Sequence, residues 1–263
     1  MEMDKEQIIQ KVMSELQKQN ETQAAPVGCI DVKKCGMTEF VGTAPGDTIG
    51  LVIPNVDETL QERLEIDKKY RSLGIVGSRT GAGPHAVAAD EAVKASNAEL
   101  LKLELPRDCK GGPGHGVYLV FGAEEVSDAR RAVEITLKAL DTTFGEIFVN
   151  DAGHLEAQYT ARASHVLNKF FNAPLGRAWG FVGVSPAAIG VVASDAMLKS
   201  ANVEVVLHAS PAYFTSHSNE FMLFITGDSG AVKQAVIRGK EVALKLLGAM
   251  GEPPKPCGKP YLY

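Results

Sequence analysis

Residues Ala129, Ala132, Val133, Thr136, Leu137 and Leu140 are spaced by threes and fours, which predicts a long helix over 124–140 with one buried stripe. The same spacing returns over 229–247 at Val232, Ala235, Val236, Gly239, Ala243 and Leu247. Ahead of each helix lie short apolar runs of strand length. They predict strands at 40–44, 48–53, 73–77, 99–105 and 117–121, then at 146–149, 155–161, 179–184, 203–209 and 221–226. Shorter helical patterns occupy 57–66 and 84–96 in the first set, 164–171 and 186–200 in the second. Both sets read strand pair, short helix, strand, helix, two strands, long helix. That order predicts an α/β fold, an α+β sandwich of the split βαβ type, made twice.

The duplication holds residue by residue. Asp90, Lys94, Asn97 and Glu99 return as Asp195, Lys199, Asn202 and Glu204, a constant shift of 105. Gly74 to Gly77 answer Gly180 to Gly183, and Leu137-Lys138 answers Leu244-Lys245. Two units of about 100 residues are a usual domain size. We divide the chain into residues 1–25, a first domain over 26–142 and a second over 143–263. A repeated unit points to self-similar assembly before it points to an active site.

Two segments fall outside the repeat. Residues 4–18 form an amphipathic pattern with Ile8, Val12 and Leu16 on one side, and the polar stretch 19–26 ends it. So short a helix cannot bury its stripe alone, so it docks on its own domain or serves as a docking peptide for another protein. The proline-rich stretch 251–260 must run extended, with Tyr261, Leu262 and Tyr263 placed to pin the chain end.

Composition narrows the function. A net charge of −5 gives no electrostatic case for nucleic acid or an anionic membrane, and no apolar run is long enough to span a bilayer. The first residues lack a secretory apolar region, which leads us to expect a cytoplasmic protein. Cys29, Cys35, Cys109 and Cys257 are scattered and read as free thiols, with no metal site expected. The six histidines form no His-x-x-x-His pair, and no Gly-x-Ser-x-Gly elbow occurs. No catalytic residue is assigned, and neither enzyme activity nor a cofactor is expected.

The motif Ser194-Asp-Ala-Met-Leu-Lys-Ser-Ala-Asn-Val-Glu-Val205, followed by Thr226-Gly-Asp-Ser-Gly-Ala-Val-Lys233, resembles the bacterial microcompartment shell domain. Two such domains, each with its hairpin and short helix moved to the front, resemble the circularly permuted tandem-domain members found in propanediol- and ethanol-utilisation compartments. The resemblance implies a ferredoxin-like fold in tandem and a homotrimer shaped as a pseudohexamer that tiles with other shell proteins. It places Lys94, Asn97, Lys199 and Asn202 at the tile edge. It places Asp108, Lys110, Gly111, Gly112, Gly114, His115, Ser210, Tyr213, Ser216 and His217 on loops around a central pore for small polar metabolites. For smaller channels between the two domains we single out Asn55, Glu58, Asn150, Asp151 and His154. Residues 4–18 are then a candidate attachment point for lumen enzymes. Many relatives carry arginine after the proline that starts the short helix, where this chain has Asn55.

Two other readings stay open. The segment Gly81-Ala-Gly-Pro-His-Ala86 matches a dinucleotide-binding fingerprint, with Glu104 about 20 residues on; the second copy lacks the glycines. A regulatory module binding a small effector between its domains is the other.

Overall fold

The computed structural model describes residues 37–106, 115–215 and 218–263. Residues 4–18, and with them the docking-peptide expectation, lie outside these.

The first repeat contains β1 (Phe40–Ala44), β2 (Thr48–Ile53), α1 (Glu58–Arg63), β3 (Ser72–Ser78), α2 (Ala82–Lys94), β4 (Glu99–Glu104), β5 (Val117–Ala123) and α3 (Val126–Thr143). After a 3-10 turn at Phe144–Glu146, the second repeat follows with β6 (Ile147–Asn150), β7 (Gly153–Thr160), α4 (His165–Phe171), β8 (Ala178–Ser185), α5 (Ala187–Ser200), β9 (Val203–Ala209), β10 (Phe221–Gly227) and α6 (Ser229–Gly248). A short β11 (Lys255–Pro256) closes the chain.

Both sheets are antiparallel and share one topology. The first runs β1-β2-β3-β5-β4; the second runs β6-β7-β8-β10-β9, with β11 added beside β6. Ile49 pairs with Gly77 in the first sheet, and Glu156 pairs with Gly183 in the second, so equivalent positions differ by 107 on β2 and β7 and by 106 on β3 and β8. The expected stripe of α3 is buried from Ala129 to Leu140, and that of α6 from Val232 to Leu247. Glycines on the sheets let each long helix lie close. A side chain at Gly74 would meet Val133 at 2.8 Å, and one at the equivalent Gly180 would meet Val236 at 2.5 Å.

The proline-rich tail adds β11 beside β6, bends on either side of it, and is held by a buried ion pair. Glu146 Oε2 lies 3.0 Å from Lys240 Nζ, and its other oxygen accepts the backbone amides of Tyr261 and Leu262. Lys240 also donates to the Leu262 carbonyl, and the Leu262 side chain enters the second core. No described helix is long and apolar enough to cross a membrane.

The repeats differ in what covers their middle helices. In α2, residues Gly83 to Asp90 are buried continuously, because the helix is flanked by α3 and β4 of its own repeat and by β7 and α4 of the second repeat. In α5 burial is confined to one side, at Ile189, Gly190, Ala193, Ser194 and Met197. The seam between the repeats is therefore a head-to-tail contact: the α2 face of one unit meets the front segment of the next.

Candidate functional site at the seam between the repeats

The start of α2 faces an aromatic wall. Phe171, Trp179, Phe181 and Phe224 stack with centroids 5.2 to 5.9 Å apart and form one apolar cluster with Ala86, Val87 and Leu167. Against that wall sits a cleft of about 430 Å³, of which about 30 Å³ admits the centre of a water molecule. That is room for roughly two waters. Its polar groups come from three segments: His115 before β5, His154 and Glu156 on β7, and Glu220 before β10.

Glu220 ties these segments together. Its Oε1 lies 2.8 Å from His154 Nε2, and its Oε2 lies 3.0 Å from His115 Nδ1. Burial opposes ionisation of this carboxyl, but the two histidines outweigh it and hold it well below the usual carboxylate range. Glu156 has the opposite environment. Burial pushes it up to about 8, helped by the charge of Glu220 and opposed by the Gly83 amide, which donates to Oε2 at 3.0 Å. At neutral pH Glu156 is a neutral acid. Its Oε1 and the indole Nε1 of Trp179 are buried without a hydrogen-bond partner. Among the described residues, no three His, Cys, Asp or Glu side chains are grouped to hold a metal ion.

The glycine fingerprint is spent on packing. Gly81 has φ +83 and starts α2; a side chain at Gly83 would stand 2.3 Å from the Phe181 ring. The amide a phosphate would need already serves Glu156, and the space before it is filled by Phe181. His85 is structural: burial lowers it to about 4, and its ring bridges the Gly81 carbonyl and the Thr48 hydroxyl.

At the outer rim of the seam, the Asp90 carboxylate accepts the amides of Ser164 and Leu167, capping α4 from the other repeat. Lys94 is committed to the same rim. Its Nζ lies 3.0 Å from Asp90 and 2.7 Å from Glu91, and donates to the Arg162 carbonyl at 2.7 Å. Lys199 is exposed and, among the described residues, pairs with Asp195 at 2.7 Å. Asn97 lies 3.4 Å from the Asp128 carboxylate, and Asn202 is exposed.

Of the five channel candidates, the structure brings only His154 to the seam. Asn55 and Glu58 border a shallow hollow with Lys68 and Arg71 on the first repeat. Asn150 and Asp151 border another, beside the tail; Asn150 is used structurally, donating to the Leu247 and Glu252 carbonyls. Of the pore-loop candidates, Asp108, Lys110, Gly111, Gly112, Gly114, Ser216 and His217 lie outside the described residues. His115 is at the seam. Ser210 and Tyr213 exchange backbone hydrogen bonds in a turn, and the exposed Tyr213 ring stacks on His208 at 5.0 Å. Sequence reasoning missed Glu156, Glu220 and Trp179.

A family profile described as BMC domain matches residues 72–151 and 178–256. Among curated relatives, the bacterial microcompartment shell protein PduB of Citrobacter freundii is 58% identical over 223 residues, covering 85% of this chain and 83% of that protein. That of Limosilactobacillus reuteri is 50% identical, covering 82% and 91%. Among solved structures, a trimeric bacterial microcompartment shell protein PduB superposes with a TM-score of 0.82 at 48% identity, covering 86% of this chain and all of that one. EtuB from Clostridium kluyveri gives 0.82 at 50% identity, over 86% and 99%. The chain, with its domain present twice, belongs to the bacterial microcompartment shell proteins.

Proposed function

We propose that this chain is a structural tile of a bacterial microcompartment shell and carries out no catalysis. Three copies close into a flat pseudohexamer, each supplying two of its six seats, and discs pack edge to edge with other shell proteins in the bacterial cytoplasm. The observation that carries this reading is the head-to-tail seam between the repeats. A heterologous contact between like units generates a ring when its rotation closes. The trimeric PduB relative supports closure at three chains.

Lateral packing rests on Lys199 and Asn202, with Lys94 and Asn97 at the equivalent corner of the first repeat. The three donors of Lys94 already have acceptors within the chain, whereas Lys199 keeps donors for a neighbouring disc. Small polar metabolites (diols, glycerol, alcohols and aldehydes) pass through openings framed by loops 105–116 and 210–219, selected by width and polar lining. Asn55, Glu58, Asn150 and Asp151 border hollows away from the seam, so the smaller channel of each subunit is assigned to the cleft at His154. Residues 4–18 attach lumen enzymes.

Sizing and negative-stain imaging of the purified chain test the tile. A trimer that forms sheets, tubes or rolled edges is expected. Separate monomers that never associate laterally would refute it. Deletion of residues 1–25 should keep the trimer and lose co-purifying lumen enzymes.

A further inference from the structure

Glu156 sits where the two repeats meet, in surroundings that suit one of its charge states. Its Oε2 is fixed by the Gly83 amide at the start of α2. Its Oε1 has no partner, and neither has the indole Nε1 of Trp179 in the lining of the same cleft. Among the described residues, the charged and titratable groups packed around it are committed elsewhere or repel it. His154 on the same strand and His115 before β5 both face Glu220. His85 on α2 bridges Gly81 and Thr48. Glu146 in the 3-10 turn and Lys240 on α6 pair with each other. From the tail, the Tyr261 hydroxyl donates to Gln158, and the Cys257 thiol is pushed up by burial first and by the charge of Glu156 second. Strands β6 and β8 bring neutral side chains only. The charge left to act on Glu156 is the Glu220 carboxylate, which has the same sign.

We propose that Glu156 is a proton-operated bolt on the cleft between the repeats. With its proton the cleft is shut; without it, two carboxylates share one apolar cavity and the seam opens to water and small neutral solutes. The chemistry is a plain ionisation, in which the carboxyl O–H breaks and the proton passes to water. A buried carboxylate has to be paired or hydrated. The cations near Glu156 are taken, so hydration is the course left. The shut cleft offers about 30 Å³ to water centres, room for roughly two molecules, which is too little to solvate an ion beside a like charge. The wall therefore has to give, at the contact between the start of α2 and the aromatic side chains of the second repeat. Burial, opposed by the Gly83 amide and helped by Glu220, holds the proton up to about pH 8. The bolt is thus closed at neutral pH and opens toward alkaline pH. Opening is a property of one chain. Its effect on passage rests on the assignment, made above, of the smaller channel to this cleft.

Trp179 is the single tryptophan of the chain and is fully buried in the cleft lining, so indole fluorescence reads this place alone. The probe is acrylamide, a small neutral amide that quenches indole on contact. In the full-length protein, quenching should be low at about pH 6 and rise severalfold by about pH 9, with a midpoint near 8 and a red shift of the emission. E156Q should keep the low value throughout, with circular dichroism showing each sample folded. E220Q should move the midpoint to lower pH, because the like charge is gone; C257S should leave it in place. Quenching that stays flat in the wild type, or rises equally in E156Q, would overturn the bolt. A red shift without added quenching would mean that Glu156 ionises in a shut cleft, and would overturn the opening. A response lost in C257S would assign it to the thiol instead. Sedimentation at the same pH values reads the tile separately: a chain that is monomeric throughout would remove the tile reading and leave the quenching result standing.

Discussion

The carboxylate of Asp90 lies 3.0 Å from the backbone amide of Ser164, so a helix of one repeat is capped by a side chain of the other. Asp90 is fully buried, also accepts the Leu167 amide, and neutralises Lys94 at 3.0 Å. Free amides at a helix start attract a carboxylate, which satisfies donors that have no partner within the helix.

Replacing Asp90 by alanine should therefore cost about 2 kcal/mol of chain stability, at the upper end for a lost cap, because the Lys94 ammonium loses one of its partners as well. Ser164→Ala removes only the hydroxyl's contacts with Asp90, at 2.9 Å to the carboxylate and 3.4 Å to the carbonyl, and should cost about 1 kcal/mol or less. Urea unfolding of both variants decides it; an Asp90→Ala chain with an unchanged midpoint would show that the cap does not hold the repeats together.

The two buried acids of the seam predict opposite responses to pH. Glu156 titrates near 8 in the folded chain and near 4.5 when unfolded, so the folded state binds the extra proton. Stability from this group is complete below about pH 4.5 and is lost as pH rises toward 8, by on the order of a few kcal/mol. Glu156→Gln keeps an acceptor for the Gly83 amide and cannot ionise. It should raise the melting temperature at pH 8, leave it nearly unchanged at pH 5, and flatten the profile between. A variant curve parallel to the wild type across that range would remove Glu156 as the cause.

Glu220 gives stability that is present above about pH 4.5 and lost as acid protonates it, because its folded value is depressed. Glu220→Gln should therefore cost about 2 kcal/mol at pH 7 and a smaller amount at pH 3, where the stability tied to the ionised carboxylate is partly lost. Melting curves at the two pH values check this. An equal loss at both would mean that shape alone matters at this position.

The element order was legible because helical and alternating spacings are strong signals and appear twice. The strands over 40–44, 48–53 and 203–209 coincide with the expected ones, and the others differ by a few residues at their ends. The seam was not legible. Strand β7 is buried on both faces from Leu155 to Gln158, so Glu156 and Gln158 break no visible alternation and look like solvent-facing residues. Lys94 and Lys199 carry the same local motif, and only the fold shows that one is engaged by the same chain while the other is exposed. Asn150 misled in a different way. Its side chain accepts the amides of Ala152 and Gly153, and a polar residue that closes a turn is spelled like one that lines a channel.

On the proposed tile, Lys199→Ala should abolish sheets in electron micrographs and leave a trimer in solution. Lys94→Ala should act on the seam first, lowering stability by about 1 kcal/mol through loss of its bonds to Arg162 and Asp90. Sheets that survive in the Lys199→Ala chain would exclude that lysine from lateral packing.

The chain end supplies the last case. Glu146 and Lys240 are buried together, and the ion pair is completed by the backbone of Tyr261 and Leu262. A buried pair contributes little beyond the cost of desolvating it, but breaking it strands a charge and costs roughly 3–5 kcal/mol. Lys240→Met should fall in that range. Removing residues 261–263 takes away two amide donors from Glu146, one carbonyl from Lys240, and the Leu262 side chain from the core, and should cost a similar amount. The two changes share one network, so the double variant should lose clearly less than the sum of the single losses. Additive losses in urea unfolding would mean that the tail and the ion pair stabilise the second repeat independently.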